Sequence, residues 1–180
     1  MLLLASLPLC AAQPRARIET TLGVMVIELF EDKAPATVAN FKRYAHRGYY
    51  DDTLFHRVLE DRVIQGGGHR ADYSEKPTDP PVLNEADNGL SNVRGTLAMA
   101  RTADPHSATA QFFINLSDNT PYDHRGNDAR NFGYCVFGRV IEGMDVADAI
   151  GKVKVQSRAG FDNNVPVTPV LITRLRLLQE

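Results

Sequence analysis

A chain of 180 residues is the size of one ordinary domain, and 43% apolar residues are enough for a sizeable core. The net charge of −2 and the lack of a basic stripe exclude a nucleic-acid binder that works through phosphate contacts. The five His (46, 56, 69, 106 and 124) are scattered without metal-ligand spacing, so no metal centre is expected.

The chain opens on Leu2, Leu3, Leu4, Ala5, Leu7, Leu9, Cys10, Ala11 and Ala12. This apolar run is too short to span a bilayer and ends in small residues, like the apolar core and cleavage region of a secretory signal. Residues 1–12 are therefore set apart from a domain over 16–180. The positive flank of such a signal is missing, which a start codon placed too far downstream would explain. Two alternatives stand beside it. One is a lipid anchor at Cys10, which Leu7-Pro8-Leu9-Cys10 fits poorly. The other is a plain apolar N-terminus on a cytoplasmic protein. Without Cys10, Cys135 is left alone in an apolar run, as a buried structural thiol with no disulfide partner.

From Ala16 to Phe30 the alternation predicts a β-hairpin with Gly23 at its turn. Ala34-Pro35 opens a helix, because Pro suits the first helical turn. Ala34, Val38, Phe41 and Ala45 fall on one face of that helix, and Gly48 suits its C-terminal stop. Thr53 to Val58 and Val63 to Gln65 read as strands, followed by a loop at Gly66-Gly67-Gly68. Residues 69–95, rich in Pro, Asp, Asn and Gly, read as a long surface loop. Thr96 to Ala100 and Gln111 to Leu116 are predicted strands, and Thr120 to Asn131 is polar loop. Phe132 to Val140 is predicted as a strand, Asp145 to Ile150 as a short helix and Val167 to Leu178 as the closing strand. Many short strands with few strand–helix–strand alternations argue for an antiparallel sheet closed on itself rather than a doubly wound fold. Periodicity alone does not separate a barrel from a sandwich.

Two segments carry chemistry. One is Phe55-His56-Arg57-Val58 with Gln65-Gly66-Gly67-Gly68. The other is Met99-Ala100-Arg101-Thr102-Ala103 with Ser107-Ala108-Thr109-Ala110-Gln111-Phe112-Phe113-Ile114-Asn115. Together they resemble the signature of the cyclophilins, and Asn84-Glu85-Ala86-Asp87-Asn88-Gly89-Leu90, Phe132-Gly133-Tyr134 and Val136-Phe137-Gly138 resemble its bacterial branch. The likeness runs from about Ile18 to Leu178 and is greatest to periplasmic members, in agreement with an export signal. The resemblance implies a mainly β protein, a closed eight-stranded antiparallel β-barrel capped by two helices, with the substrate groove on its outer face. It also implies a peptidyl-prolyl cis-trans isomerase without cofactor or metal, acting on proline-containing unfolded or partly folded polypeptides. No oligomer signal is present, so a monomer is expected.

Residue by residue, the resemblance makes Arg57 the catalytic group and Phe55, beside it in the motif, a substrate-binding residue. Gln65 corresponds to the groove glutamine that holds substrate backbone and positions Arg57. Phe113 corresponds to the floor of the proline pocket, whereas Phe112 suits core, because consecutive strand residues point to opposite faces. Val63, Ala100 and Tyr122 match further groove positions, although Val63 replaces a more usual Met and reads equally as core. Gln111 suits structure as well as it suits function. Tyr134 is a further substrate-binding position and stands where many eukaryotic members carry His. Arg62 stands where an apolar aromatic is usual, which predicts a more open and more positive pocket wall. Pro121 aligns with a common Trp or Phe, and the chain has no Trp. A Pro-peptide-binding chaperone with low turnover is the alternative function. Arg57 in its full motif favours the enzyme.

Overall fold

The computed structural model describes residues 13–161 and 163–179, so the apolar segment 1–12, Cys10 included, lies outside the described residues. The first hairpin is β1 (Arg15–Thr20) and β2 (Gly23–Leu29). Gly23 starts β2 rather than forming the turn, which is Thr21-Leu22. The Thr20 hydroxyl fixes that turn by donating to the Gly23 carbonyl and accepting from the Leu22 N–H. Helix α1 (Pro35–His46) follows, with Pro35 in its first turn as predicted. Next come β3 (Thr53–Leu59), β4 (Val63–Arg70), β5 (Thr96–Met99) and β6 (Phe112–Asn115). After a 3-10 turn at Thr120–Tyr122 the chain forms β7 (Val136–Glu142) and α2 (Met144–Gly151). The short strands β8 (Val155–Gln156) and β9 (Val165–Pro166) pair with each other, and β10 (Leu171–Leu177) closes the chain.

Eight strands close into one barrel in the order β1-β10-β3-β4-β6-β5-β7-β2, with every neighbouring pair antiparallel. The expected eight-stranded barrel with two helices is thus the observed fold. The barrel interior is packed. Ile18, Met25, Ile27, Phe55, Ile64, Leu97, Phe112, Ile114 and Leu175 belong to one buried cluster. Helix α1 adds Phe41, whose ring meets Tyr50, Phe112 and Phe137 at 5.1, 5.8 and 5.3 Å between centroids.

Three boundaries differ from the sequence reading by more than two residues. β4 continues through Gly66-Gly67-Gly68 to Arg70 instead of ending in a loop, and glycine suits it there because a side chain would meet the Leu54 backbone at Gly66 and the Tyr50, Phe112 and Gln111 side chains at Gly67 and Gly68. β7 begins at Val136 instead of Phe132. Gly133 has a positive φ of 81°, and its carbonyl accepts from the side chains of Asn84 and Arg101 instead of joining a ladder. β10 begins at Leu171 instead of Val167. Between those two positions lies Pro169, which has no N–H for a ladder.

Candidate active site

Strand register places the site. Arg57 on β3 pairs with Gln65 on β4, Gln65 with Phe113 on β6, Phe113 with Ala98 on β5, and Ala98 with Val136 on β7. The row therefore crosses five strands, and all of its side chains share the outer face, since cross-strand partners point the same way. The neighbouring row, Val58, Ile64, Ile114 and Leu97, points into the barrel. Phe112 belongs to the interior cluster and Phe113 to a separate one with Val63, Ala98 and Val136, as strand alternation predicts.

That second cluster is an apolar floor on the outside of the barrel, with Ala100, Tyr122 and Tyr134 packed against it. The Phe113 ring lies edge-on to Tyr122 at 6.0 Å and to Tyr134 at 5.5 Å, and the two tyrosine rings are 5.2 Å apart. Such edge-to-face sets favour fixed ring orientations. Above the floor is a recess of about 100 Å³ lined by Arg57, Val63, Gln65, Ala100, Arg101, Phe113, Tyr122 and Tyr134. Seven of the predicted site residues thus meet in one cavity.

Gln111 lies in the adjoining recess, which shares Gln65, Ala100 and Arg101 with the first. The Gln65 Nε2 donates to Gln111 Oε1 at 3.1 Å and joins the two recesses. Close to Arg57 on its other side, His56, His69, Phe161 and Asn164 line a cavity of about 250 Å³, with the two imidazoles 4.4 Å apart. Burial lowers the pKa of His69 below the ordinary histidine value, and the charge of Glu75 opposes this in part. Among the described residues no cluster of three or more His, Cys, Asp or Glu could hold a metal ion.

Two expectations need correction. Phe55 does not line the recess. It is buried inside the barrel, with its ring 6.3 Å from Phe112. The cause is a β-bulge. Phe55 pairs with Gly66 while Arg57 pairs with Gln65, so His56 is an extra residue on β3. In a regular strand Phe55 and Arg57, two residues apart, would share a face, and the bulge turns Arg57 outward while Phe55 stays in. Arg62 is not part of the pocket wall either. It sits in the β3–β4 turn and lines a different cavity with Val58, Glu60, Val153 and Val155.

Arg101 lies inside the Met99–Ala103 motif, and nothing in the sequence alone marks its role. Its guanidinium lies 4.8 Å from the Tyr134 ring centroid and donates to the carbonyls of Gly133, Thr102 and Ala129. A planar fork with several donors suits such a clamp, which braces the Tyr134 wall of the recess.

Comparison with known proteins agrees with this architecture. Residues 15–177 match the profile of the family described as cyclophilin type peptidyl-prolyl cis-trans isomerase/CLD. The chain is 52% identical over 161 residues to peptidyl-prolyl cis-trans isomerase cyp18 of Streptomyces antibioticus, covering 89% of this chain and 96% of that protein. It is 51% identical to peptidyl-prolyl cis-trans isomerase B of Escherichia coli, covering 85% of this chain and 93% of that one. A cyclophilin-type isomerase of Cryptosporidium parvum, crystallised in the presence of the dipeptide Ala-Pro, has the same fold. Its TM-score is 0.74 at 24% identity, covering 92% of this chain and 99% of that one. With the profile spanning the whole barrel and half of all residues shared along nearly the full length of bacterial relatives, the chain belongs to the cyclophilin-type peptidyl-prolyl cis-trans isomerases, and rotation about X–Pro peptide bonds is the reaction it accelerates.

Proposed function

We propose that this isomerase works by non-covalent electrostatic stabilisation of the twisted imide, with Arg57 as the catalytic residue and the Phe113 recess as the proline site. The X–Pro bond prefers trans by only about 0.5–1 kcal/mol but rotates over a barrier of roughly 18–20 kcal/mol, which arises from amide resonance. A catalyst need only favour the state in which that resonance is lost. As the imide nitrogen turns pyramidal it regains a lone pair, toward which a guanidinium can donate while also holding the proline carbonyl. The observation that carries the reading is the row Arg57–Gln65–Phe113, which sets a charged fork, a backbone-binding amide and an aromatic floor side by side on one face. Gln65 and Gln111 serve the substrate backbone before the proline, and Tyr122 and Tyr134 flank the ring. The clients are proline-containing unfolded or partly folded polypeptides.

The decisive experiment is a protease-coupled assay on an Ala-Pro peptide with the wild-type chain and Arg57→Ala. Losing one preorganised donor costs on the order of 10²–10³ in rate, and the circular dichroism should stay native. A folded Arg57→Ala protein that keeps more than half its activity would place catalysis elsewhere.

We also propose that the enzyme acts in the periplasm, on the support of the apolar run Leu2 to Ala12 with its small terminal residues. Mass spectrometry of the protein from its native host should find this leader removed, or Cys10 lipidated. An intact Met1 on a cytoplasmic protein would overturn the proposal.

A further inference from the structure

We infer that Asn92, a fully buried residue outside the groove, is a positioning residue that fixes Tyr122 and Tyr134 about Phe113 and so sets the width of the proline recess. This rests on reading that recess as the proline site. Asn92 lies in the long loop before β5, yet it touches both segments that supply the tyrosines. Its Nδ2 donates to the Tyr122 carbonyl at 3.2 Å, the Tyr134 carbonyl at 3.2 Å and Asp123 Oδ1 at 3.1 Å. Its own N–H donates to Asp123 Oδ1 at 2.7 Å, and its carbonyl accepts from the Asn119 N–H at 2.7 Å. Asn115 Nδ2 donates to Asn92 Oδ1 at 3.3 Å, which ties the group to β6, two residues beyond Phe113.

At the tyrosines themselves the two segments are joined by the bond from the Tyr134 N–H to the Tyr122 carbonyl at 2.9 Å, and further along the His124 ring meets the Phe132 carbonyl at 2.8 Å and the Arg125 N–H donates to the Asn131 carbonyl at 2.8 Å. The outer bonds fix the far ends of the segments and leave the spacing at the two tyrosine carbonyls to this bond and to Asn92. The Asn92 amide donates to both tyrosine carbonyls, and at 0% exposure it is closed off from bulk water. Buried carbonyls that lose a donor are costly, so the segments would rearrange to find other partners. The rings attached to them would move with the backbone, and the recess would lose its shape. Because the recess holds the proline ring in the ground state and the twisted state alike, the loss should fall on KM more than on kcat.

The test compares Asn92→Leu, branched at the same carbon but without donors, and Asn92→Ser, which keeps one short donor, with Val38→Ala as a core variant in α1 remote from the groove. Three readouts are taken on folded protein: KM and kcat on an Ala-Pro peptide, the rate on the same peptide with the larger pipecolyl ring relative to proline, and NMR contacts between the Phe113 ring and those of Tyr122 and Tyr134. Asn92→Leu should raise KM roughly tenfold with kcat within about twofold, raise the pipecolyl-to-prolyl ratio at least about threefold and weaken the ring contacts. Asn92→Ser should show the same changes to a smaller degree, and Val38→Ala should lower stability with none of them. If Asn92→Leu does not fold, the same comparison is decided on Asn92→Ser. Unchanged KM, ring ratio and ring contacts in a folded Asn92 variant would overturn the inference, and so would equal changes in Val38→Ala. If instead the wild-type peptide complex leaves the Phe113 and tyrosine signals unmoved, the assignment of the recess as the proline site fails.

Discussion

Arg57 is asked for more than charge, and substitution by Lys separates the two contributions. Lys keeps a positive head but loses the planar fork that can hold a carbonyl and approach a nitrogen together. Arg57→Lys should therefore stay within about tenfold of Arg57→Ala in kcat/KM rather than regain wild-type activity, measured on the same Ala-Pro peptide. Recovery to near wild-type rate would mean that a point charge suffices. At this scale the sequence was informative wherever strand alternation held, which is why Phe112 and Phe113 separate correctly into core and recess. It misled at Phe55, because the extra residue His56 reverses the facing of everything after it and no local property of Phe55-His56-Arg57 announces a bulge. Arg101 escaped for a different reason. Its carbonyl partners at Gly133 and Ala129 are about thirty residues away, so its role exists only after the loops have folded.

Two elements show how residues that read as loop or turn define the site. Helix α1 has no side-chain cap at Ala34, and the cap comes from the long loop instead. Glu85 accepts from the N–H groups of Ala36 and Thr37 and from the Thr37 hydroxyl. A carboxylate at a helix N-terminus satisfies open donors and opposes the helix dipole, which gives the Asn84–Leu90 string a structural meaning. In β4 the glycines are packing devices. A Cβ on Gly66 would lie 2.6 Å from the Leu54 carbonyl oxygen, whereas one on Gly68 would lie 2.4 Å from the side-chain Cγ of Gln111. Backbone on the adjoining strand cannot retreat, but a glutamine side chain can. Gly66→Ala should therefore cost about 2–4 kcal/mol in chemical denaturation, in the range of overpacked or strained sites. Gly68→Ala should cost much less stability but weaken peptide binding several-fold, because displacing Gln111 breaks its bond with Gln65. Equal stability of the two variants, or an unaffected peptide affinity in Gly68→Ala, would contradict this account.

For the molecule as a whole, closure into a barrel was legible only through the likeness of ordered motifs, since period-2 patterns describe strands and not which strand completes the ring. Pairing of β1 with β10 joins residues some 150 positions apart, and nothing local encodes it. The assembled fold also sets a pH range that composition could not supply. The guanidinium groups of Arg47 and Arg43 hold the Asp79 carboxyl below its usual value, and Arg94 does the same for Asp148. Groups lowered in this way stabilise the fold above the usual carboxylate range, and that contribution disappears as pH falls through their folded values. His69, lowered by burial, costs stability as pH falls below its ordinary value of 6.5. At the alkaline end burial raises the Cys135 thiol from 9.0 to about 11, against a smaller opposing effect of the Thr37 hydroxyl, and burial raises Tyr49 to about 12. A group whose folded pKa is raised contributes stability that is complete below its unfolded value and is lost as pH rises toward the folded one. Stability should therefore be level from about pH 6.5 to 9, decline from pH 9 as the unfolded thiol ionises, and decline further above pH 10 as unfolded tyrosines do so. The thiol's share can be isolated, because Cys135 is buried and removing its sulfur removes its titration. Between pH 9 and 11 a shift of this size amounts to on the order of 2 kcal/mol. Denaturant unfolding of Cys135→Ala should start from a lower stability at pH 8, owing to the lost packing, and then fall less steeply than wild type up to pH 11. Parallel profiles for the two proteins would show that Cys135 ionises as readily in the folded barrel as in the unfolded chain.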